Sequence, residues 1–162
     1  MIWFTEIQTP IGAMLLAKTS RGLSHALLEN LIPARRDPGW SRDARALRDE
    51  STQLAEYFTG ARTAFDLELD PRGTAFQKRV WSALRDVEFG RTASYADIAR
   101  AVGRPRAFRA VGATNGRNPI AIVVPCHRIV GSNGALTGYA GGVNRKRWLL
   151  DHERRIARVR AA

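Results

Sequence analysis

Apolar and polar positions alternate in part over residues 2–8, as a half-buried β-strand does, and the apolar runs 13–18 and 23–28 read as two more strands. Thr9-Pro10-Ile11-Gly12 and Ser20-Arg21-Gly22 punctuate these runs and predict tight turns. Residues 30–42 carry Pro33 and Pro38 and read as a loop. Asp43 then opens a helical stretch in which Leu47, Leu54 and Phe58 recur at helical spacing, and Gly60 stands where a C-cap would end it. Phe65, Leu67 and Leu69 alternate again and predict one more strand. The first 70 residues thus read as a small α+β unit.

Asp70-Pro71-Arg72-Gly73 marks the boundary, giving units 1–70 and 71–162. Thr74-Ala75-Phe76-Gln77 has the pattern of a capping box, in which the Thr side chain and the Gln side chain satisfy each other's backbone amides. Phe76, Val80, Trp81 and Leu84 follow on one apolar face, until Gly90 breaks the pattern. Ser94-Tyr95-Ala96-Asp97 predicts a second cap, leading a short helix with Ile98, Ala99 and Val102. Gly103-Arg104-Pro105 turns the chain into a third helix with Ala107, Ala110 and Val111. Two short helices joined by a glycine-containing turn predict a helix-turn-helix. Residues 120–125 are a β-branched apolar run, read as a buried strand that Pro125 ends. A glycine-rich loop follows, and a final helix is predicted over 143–155 with a frayed basic tail.

Charge changes this picture more than composition does. The formal net charge is +11, but residues 1–70 hold 8 Lys and Arg against 10 Asp and Glu, whereas residues 71–162 hold 18 against 5. A polycation confined to one half points to nucleic acid, because each neutralised phosphate releases a condensed counterion. No apolar run approaches the ~20 residues of a membrane span, and the N-terminus has no signal-peptide pattern, so a soluble, cytoplasmic protein without a membrane partner is expected. The single cysteine can form neither an intramolecular disulfide nor a Cys-rich zinc site, so no metal is expected.

That cysteine, Cys126, lies in Pro125-Cys126-His127-Arg128. Most lone intracellular cysteines are small buried hydrophobes. Here Pro125 places the thiol at a strand end, and the positive charge of His127 and Arg128 is expected to favour a thiolate. Neighbours on a strand point to opposite faces, so His127 has to act around a bend or through a water. A carboxylate then orients its other nitrogen, and Asp151 and Glu153 are the two acids in the final 64 residues. Spacing does not choose between them. His25 and His152 read as surface or satisfied histidines. Arg109, with Ala110, Val111 and Gly112 after it, can bring a cation close to a nucleic-acid groove.

The stretch from Asn118 to Val130, Asn-Pro-Ile-Ala-Ile-Val-Val-Pro-Cys-His-Arg-Ile-Val, resembles the active-site signature of the O6-alkylguanine-DNA alkyltransferases. Gly73-Thr74-Ala75-Phe76-Gln77, Val80-Trp81, Gly90-Arg91-Thr92, Ser94-Tyr95, Arg109-Ala110-Val111-Gly112, Leu136-Thr137-Gly138-Tyr139 and residues 145–150 are similar to further family motifs in family order. The resemblance covers about residues 73–153, and the N-terminal half is similar only in strand pattern. It implies a ribonuclease-H-like N-terminal α/β domain and a winged helix-turn-helix-like alkyltransferase domain, within an α+β fold. Cys126 would be the alkyl acceptor, His127 would activate it through a water, and Glu153 would orient His127. Asn118 would brace the turn carrying the cysteine, and Tyr95 would contact the flipped guanine and aid its protonation. Arg109 would enter the duplex, with Ala110, Gly112 and Arg128 also at the DNA, and Ile129, Tyr139 and Ala140 would line the base pocket.

The implied activity is irreversible, single-turnover transfer of an alkyl group from O6-alkylguanine in double-stranded DNA, with O4-alkylthymine a second candidate substrate. The implied protein is a monomer that binds in the minor groove and needs no cofactor. Val87-Glu88-Phe89-Gly90 departs from the family's usual Ile-Pro-Tyr-Gly, and Ala121 and Ala140 replace a proline and a serine of some members. Two other readings are a lesion-binding module that does not react and a winged-helix regulator that reads undamaged sequence.

Overall fold

The computed structural model describes all 162 residues. The chain forms two compact units, Met1–Arg72 with Pro119–Ala121, and Gly73–Asn118 with Ile122–Ala162. No helix is long and apolar enough to cross a membrane.

In the first unit, β1 (Trp3–Thr9), β2 (Gly12–Thr19) and β3 (Gly22–Leu28) form an antiparallel meander. The first turn closes with Thr9 opposite Gly12, and the Thr9 hydroxyl donates to the Gly12 carbonyl at 2.6 Å. Met14 to Ala17 of β2 are buried on both faces. The loop expected over 30–42 holds more order than its prolines suggest. A helical turn, α1 (Ile32–Arg35), accepts Pro33 in its first turn, where a missing amide proton is tolerated. Then β4 (Ser41–Arg42) pairs in parallel with β1, giving the order β3-β2-β1-β4.

Asp43 does not begin a helix. Its carboxylate accepts the amides of Arg45 and Ala46, forming a turn ahead of α2 (Arg48–Thr59). Gly60 ends α2 in the left-handed conformation, φ 85°. The strand expected at 65–69 is reduced to one bridge. Leu69 pairs with Leu23 while Gly22 approaches the Glu68 carbonyl so closely that a Cβ would sit 2.5 Å from it. Glu50 of α2 is buried and receives the Lys18 ammonium at 2.6 Å.

In the second unit, the predicted capping box and the predicted second cap both form, the second also as a capping box. Thr74 and Gln77 cap α3 (Ala75–Arg85), and Ser94 and Asp97 cap α4 (Tyr95–Ala101). Val80, Trp81 and Leu84 of α3 are buried, and the Trp81 indole donates to the Thr114 carbonyl of α5 (Phe108–Gly116) at 3.1 Å. Helices α4 and α5, joined by residues 102–107, are the helix-turn-helix. Two short parallel strands, β5 (Ala93–Ser94) and β6 (Ile129–Val130), flank it. The last helix, α6 (Val143–Ala161), continues beyond the expected end at residue 155.

Residues 120–125 are buried but are not a regular strand. Ile120 bridges to Ala26, and the chain then turns at Ile122, which holds a positive φ of 72°. That conformation is rare for a β-branched residue and persists only where surrounding contacts enforce it.

Candidate active site

Cys126, His127 and Arg128 form a 3-10 turn after Pro125. With three residues per turn, successive side chains leave in directions about 120° apart. The expected strand end is therefore a tighter bend, and its three side chains reach different partners.

The Asn118 amide donates to the Val124 carbonyl at 2.8 Å and to Cys126 Sγ at 3.1 Å. Asn115, near the end of α5, donates to the Cys126 carbonyl at 3.4 Å. These two buried amides hold the sulfur in place. Burial pushes the thiol above its ordinary value of 9.0, while hydrogen bonds from Asn118 and Tyr139 and the charge of Lys146 pull the other way without overcoming it. The resting group is a thiol. Positive charge in the motif does not make it a thiolate, because Arg128 is engaged elsewhere.

Glu153 of α6 collects that charge. Its Oε2 meets His127 Nε2 at 2.6 Å, and its two oxygens accept from Arg128 Nε at 2.8 Å and Nη2 at 3.1 Å. Arg128 also donates to the Val87 carbonyl at 2.7 Å, and the Gly90 amide donates to Glu153 Oε1 at 3.3 Å. The divergent Val87–Gly90 loop thus contributes its backbone to the network. Gly90 is required there, since a Cβ would lie 2.9 Å from that of Ala157.

Burial alone would raise the Glu153 carboxyl, but His127 and Arg128 outweigh it and hold the group far below the usual carboxylate range. Burial keeps His127 below its ordinary 6.5 despite Glu153. Arg128 already neutralises the carboxylate, so the imidazole remains neutral and able to accept a proton. Its Nδ1 is buried without a hydrogen-bond partner. A buried polar atom of this kind is where an ordered water belongs.

Residues 75–155 match the family model described as 6-O-methylguanine DNA methyltransferase, DNA binding domain, and residues 2–71 match its ribonuclease-like domain. The chain is 47% identical over 155 residues to the methylated-DNA–protein-cysteine methyltransferase of Mycolicibacterium paratuberculosis, covering 96% of this chain and 94% of that one. It is 46% identical to the protein of that name from Methanosarcina barkeri, covering 94% and 97%. A crystal structure of Mycobacterium tuberculosis OGT in complex with DNA matches with a TM-score of 0.90 at 46% identity, over 95% of this chain and 94% of that one. The chain belongs to the 6-O-methylguanine DNA methyltransferase family.

Within this methyltransferase fold, the DNA-binding residues expected from the resemblance separate into two groups. Arg109 and Ala110 are exposed on α5. Gly112 is half-buried, with the Tyr95 ring 3.7 Å from where its Cβ would be. Arg128 is 6% exposed and bound to Glu153 and Val87, so its assignment to the DNA is corrected. With its side chain buried and three of its N–H donors held by Glu153 and Val87, the guanidinium is turned into the protein rather than toward a phosphate.

The pocket residues also differ. Ile129 is fully buried in β6 and offers a ligand no surface in this structure. Tyr139 has a buried hydroxyl, raised well above its ordinary value by burial and by Cys126. Ala140 is exposed, and the Tyr95 hydroxyl pairs with Thr137 Oγ1 at 2.6 Å. His152 is buried against Trp148, with ring centroids 4.9 Å apart, and its Nδ1 pairs with Arg155 at 3.3 Å, so it is a satisfied histidine rather than a surface one.

Lys146 was absent from the expected site. It is fully buried, reaches the Thr137 carbonyl at 3.4 Å, and is held below its ordinary value by burial, opposed by Cys126. The signal was its spacing: Lys146, Leu149, Leu150 and Glu153 are one i, i+3, i+4, i+7 stripe, and all four are buried. Lys146 thus shares a buried helix face with two leucines and Glu153.

These groups set the pH range of stability. His25, tilted against the Trp40 ring, is lowered to about 4 by burial and by the charges of Arg72 and Arg35. His25 and His127 are protonated in the unfolded chain near 6.5 but resist protonation when folded, so their contribution is complete above 6.5 and lost as pH falls. The contribution of Glu153 is lost below 4.5, where its unfolded form takes a proton first. Cys126 acts oppositely, its unfolded thiol ionising first above 9.0. Melting temperature measured across pH should be flat between 6.5 and 9.0 and fall on both sides. A maximum at pH 4–5 would contradict these assignments.

Proposed function

We propose that the chain repairs DNA by taking the alkyl group of O6-alkylguanine onto Cys126 Sγ, once per molecule. The observation that carries this reading is a buried thiol held by Asn118, next in sequence to the His127–Glu153–Arg128 network. A merely structural cysteine needs no such neighbour. A regulator reading undamaged DNA has no use for it.

The thiol proton passes through a bridging water to His127 Nδ1, and Glu153 stabilises the imidazolium that forms. Sγ attacks the alkyl carbon in line. The S–C bond forms as the C–O6 bond breaks, and guanine leaves with the electron pair. Lys146 favours the sulfur anion as it develops. Tyr95, joined to Thr137, gives guanine a proton, and exchange with solvent restores Tyr95 and His127. The thioether is not readily displaced by water, so there is one turnover. Tyr139 and Ala140 face the base, and O4-alkylthymine is the second substrate.

Reaching the base requires turning it out of the stack, at about a few kcal/mol. The helix-turn-helix of α4 and α5 lies in the minor groove, and Arg109 occupies the space the base leaves. The protein acts as a monomer, and a reducing cytoplasm suits its lone thiol. Mixed with excess duplex carrying O6-methylguanine, it should yield one restored guanine per molecule by nucleoside analysis. Turnover beyond one equivalent, or none at all, would contradict the reading. Arg109→Ala should slow transfer from duplex by about tenfold or more, while transfer from the free alkylated base is unchanged. Equal loss on both substrates would remove the finger role.

A further inference from the structure

Phe108 begins α5, one position before Arg109, and is 49% exposed. An aromatic ring so open to water adds little to the core. Its surroundings define the surface it belongs to. Residues 98–150 contain no Asp or Glu, and Arg104, Arg106 and Arg109 are all exposed. Arg104, Pro105, Arg106 and Ala107 line an open groove of about 420 Å³ immediately before the ring. A stable protein interface needs a broad apolar centre of many residues, whereas here one ring stands among cations. An aromatic side chain within an acid-free basic surface is what stacking on nucleic-acid bases requires.

We propose that Phe108 and Arg109 form a two-residue wedge, in which the Phe108 ring stacks on the base step that opens as the alkylated guanine leaves. Apolar side chains inserted between base steps unstack them and bend the duplex. Arg109 supplies the cation and Phe108 the flat apolar face, and together they hold the gap open. This deepens the alkyl-transfer reading and rests on it.

The test compares wild type with Phe108→Ala and Phe108→Trp in single-turnover transfer. On duplex O6-methylguanine, Phe108→Ala should be about tenfold slower, the scale of one lost base–aromatic stack, and Phe108→Trp should recover the rate. On free O6-methylguanine base all three should react alike, because no base has to be extruded. The melting temperature should be unchanged, since the ring is exposed. The salt dependence of duplex binding should keep its slope in Phe108→Ala, because a stacking contact releases no counterion. Equal duplex rates for wild type and Phe108→Ala, or equal loss on duplex and free base, would overturn the wedge. If wild type transfers from neither substrate, it is the alkyl-transfer reading that fails, and the wedge with it.

Discussion

Cys126→Ser is expected to leave duplex O6-methylguanine unrepaired, a loss of at least about 10³-fold in rate. A serine hydroxyl keeps the hydrogen bond from Asn118 but is far less readily ionised than a thiol. The His127 relay, adequate for a thiol, deprotonates it far less readily. Folding should change little, because the oxygen inherits a donor already in place at Asn118. Binding to alkylated duplex should survive, since the exposed surface of α5 is untouched. This variant separates chemistry from recognition: it holds the lesion and does not react.

Glu153→Gln is expected to impair both stability and transfer. The amide has nearly the shape of the carboxylate but leaves the Arg128 guanidinium buried without its anion. Breaking a buried ion pair by removing one partner costs about 3–5 kcal/mol, or roughly 10 °C of melting temperature in a chain of this size. Transfer slows as well, because nothing then stabilises the imidazolium of His127. Adding Arg128→Met distinguishes the two effects. With both charges gone no uncompensated ion is buried, so the double variant should regain much of the melting temperature. Its transfer rate should remain low. If the rate recovers together with stability, Glu153 is a structural anchor and no part of the relay.

Much of this architecture is legible along the chain because it is set by local chemistry. Both capping boxes, the turn at Pro10 and the left-handed Gly60 depend on residues within a few positions of one another. The segment 120–125 misled because a β-branched apolar run fits a strand, and only tertiary contacts explain Ile122 at positive φ. Asp43 has an N-cap side chain, yet its carboxylate closes a turn five residues ahead of α2. At the site, Cys126 and His127 could be singled out by their types, but the partner of Arg128 could not. An arginine beside a catalytic motif in a basic domain looks like a phosphate contact until its partner on α6, 25 residues away, is visible. Lys146 was concealed by the same rule that finds cores, since lysine is expected to point away from an apolar stripe. Phe108 shows the converse, an aromatic residue whose exposure no sequence period discloses.

The most direct measurement is the mass of the peptide that contains Cys126. After incubation with a duplex carrying O6-methylguanine, the peptide containing Cys126 should be heavier by one methyl group. The duplex should contain guanine in place of the lesion, in equal amount. An unmodified Cys126 peptide alongside restored guanine, or a methyl group on any other peptide, would contradict the account.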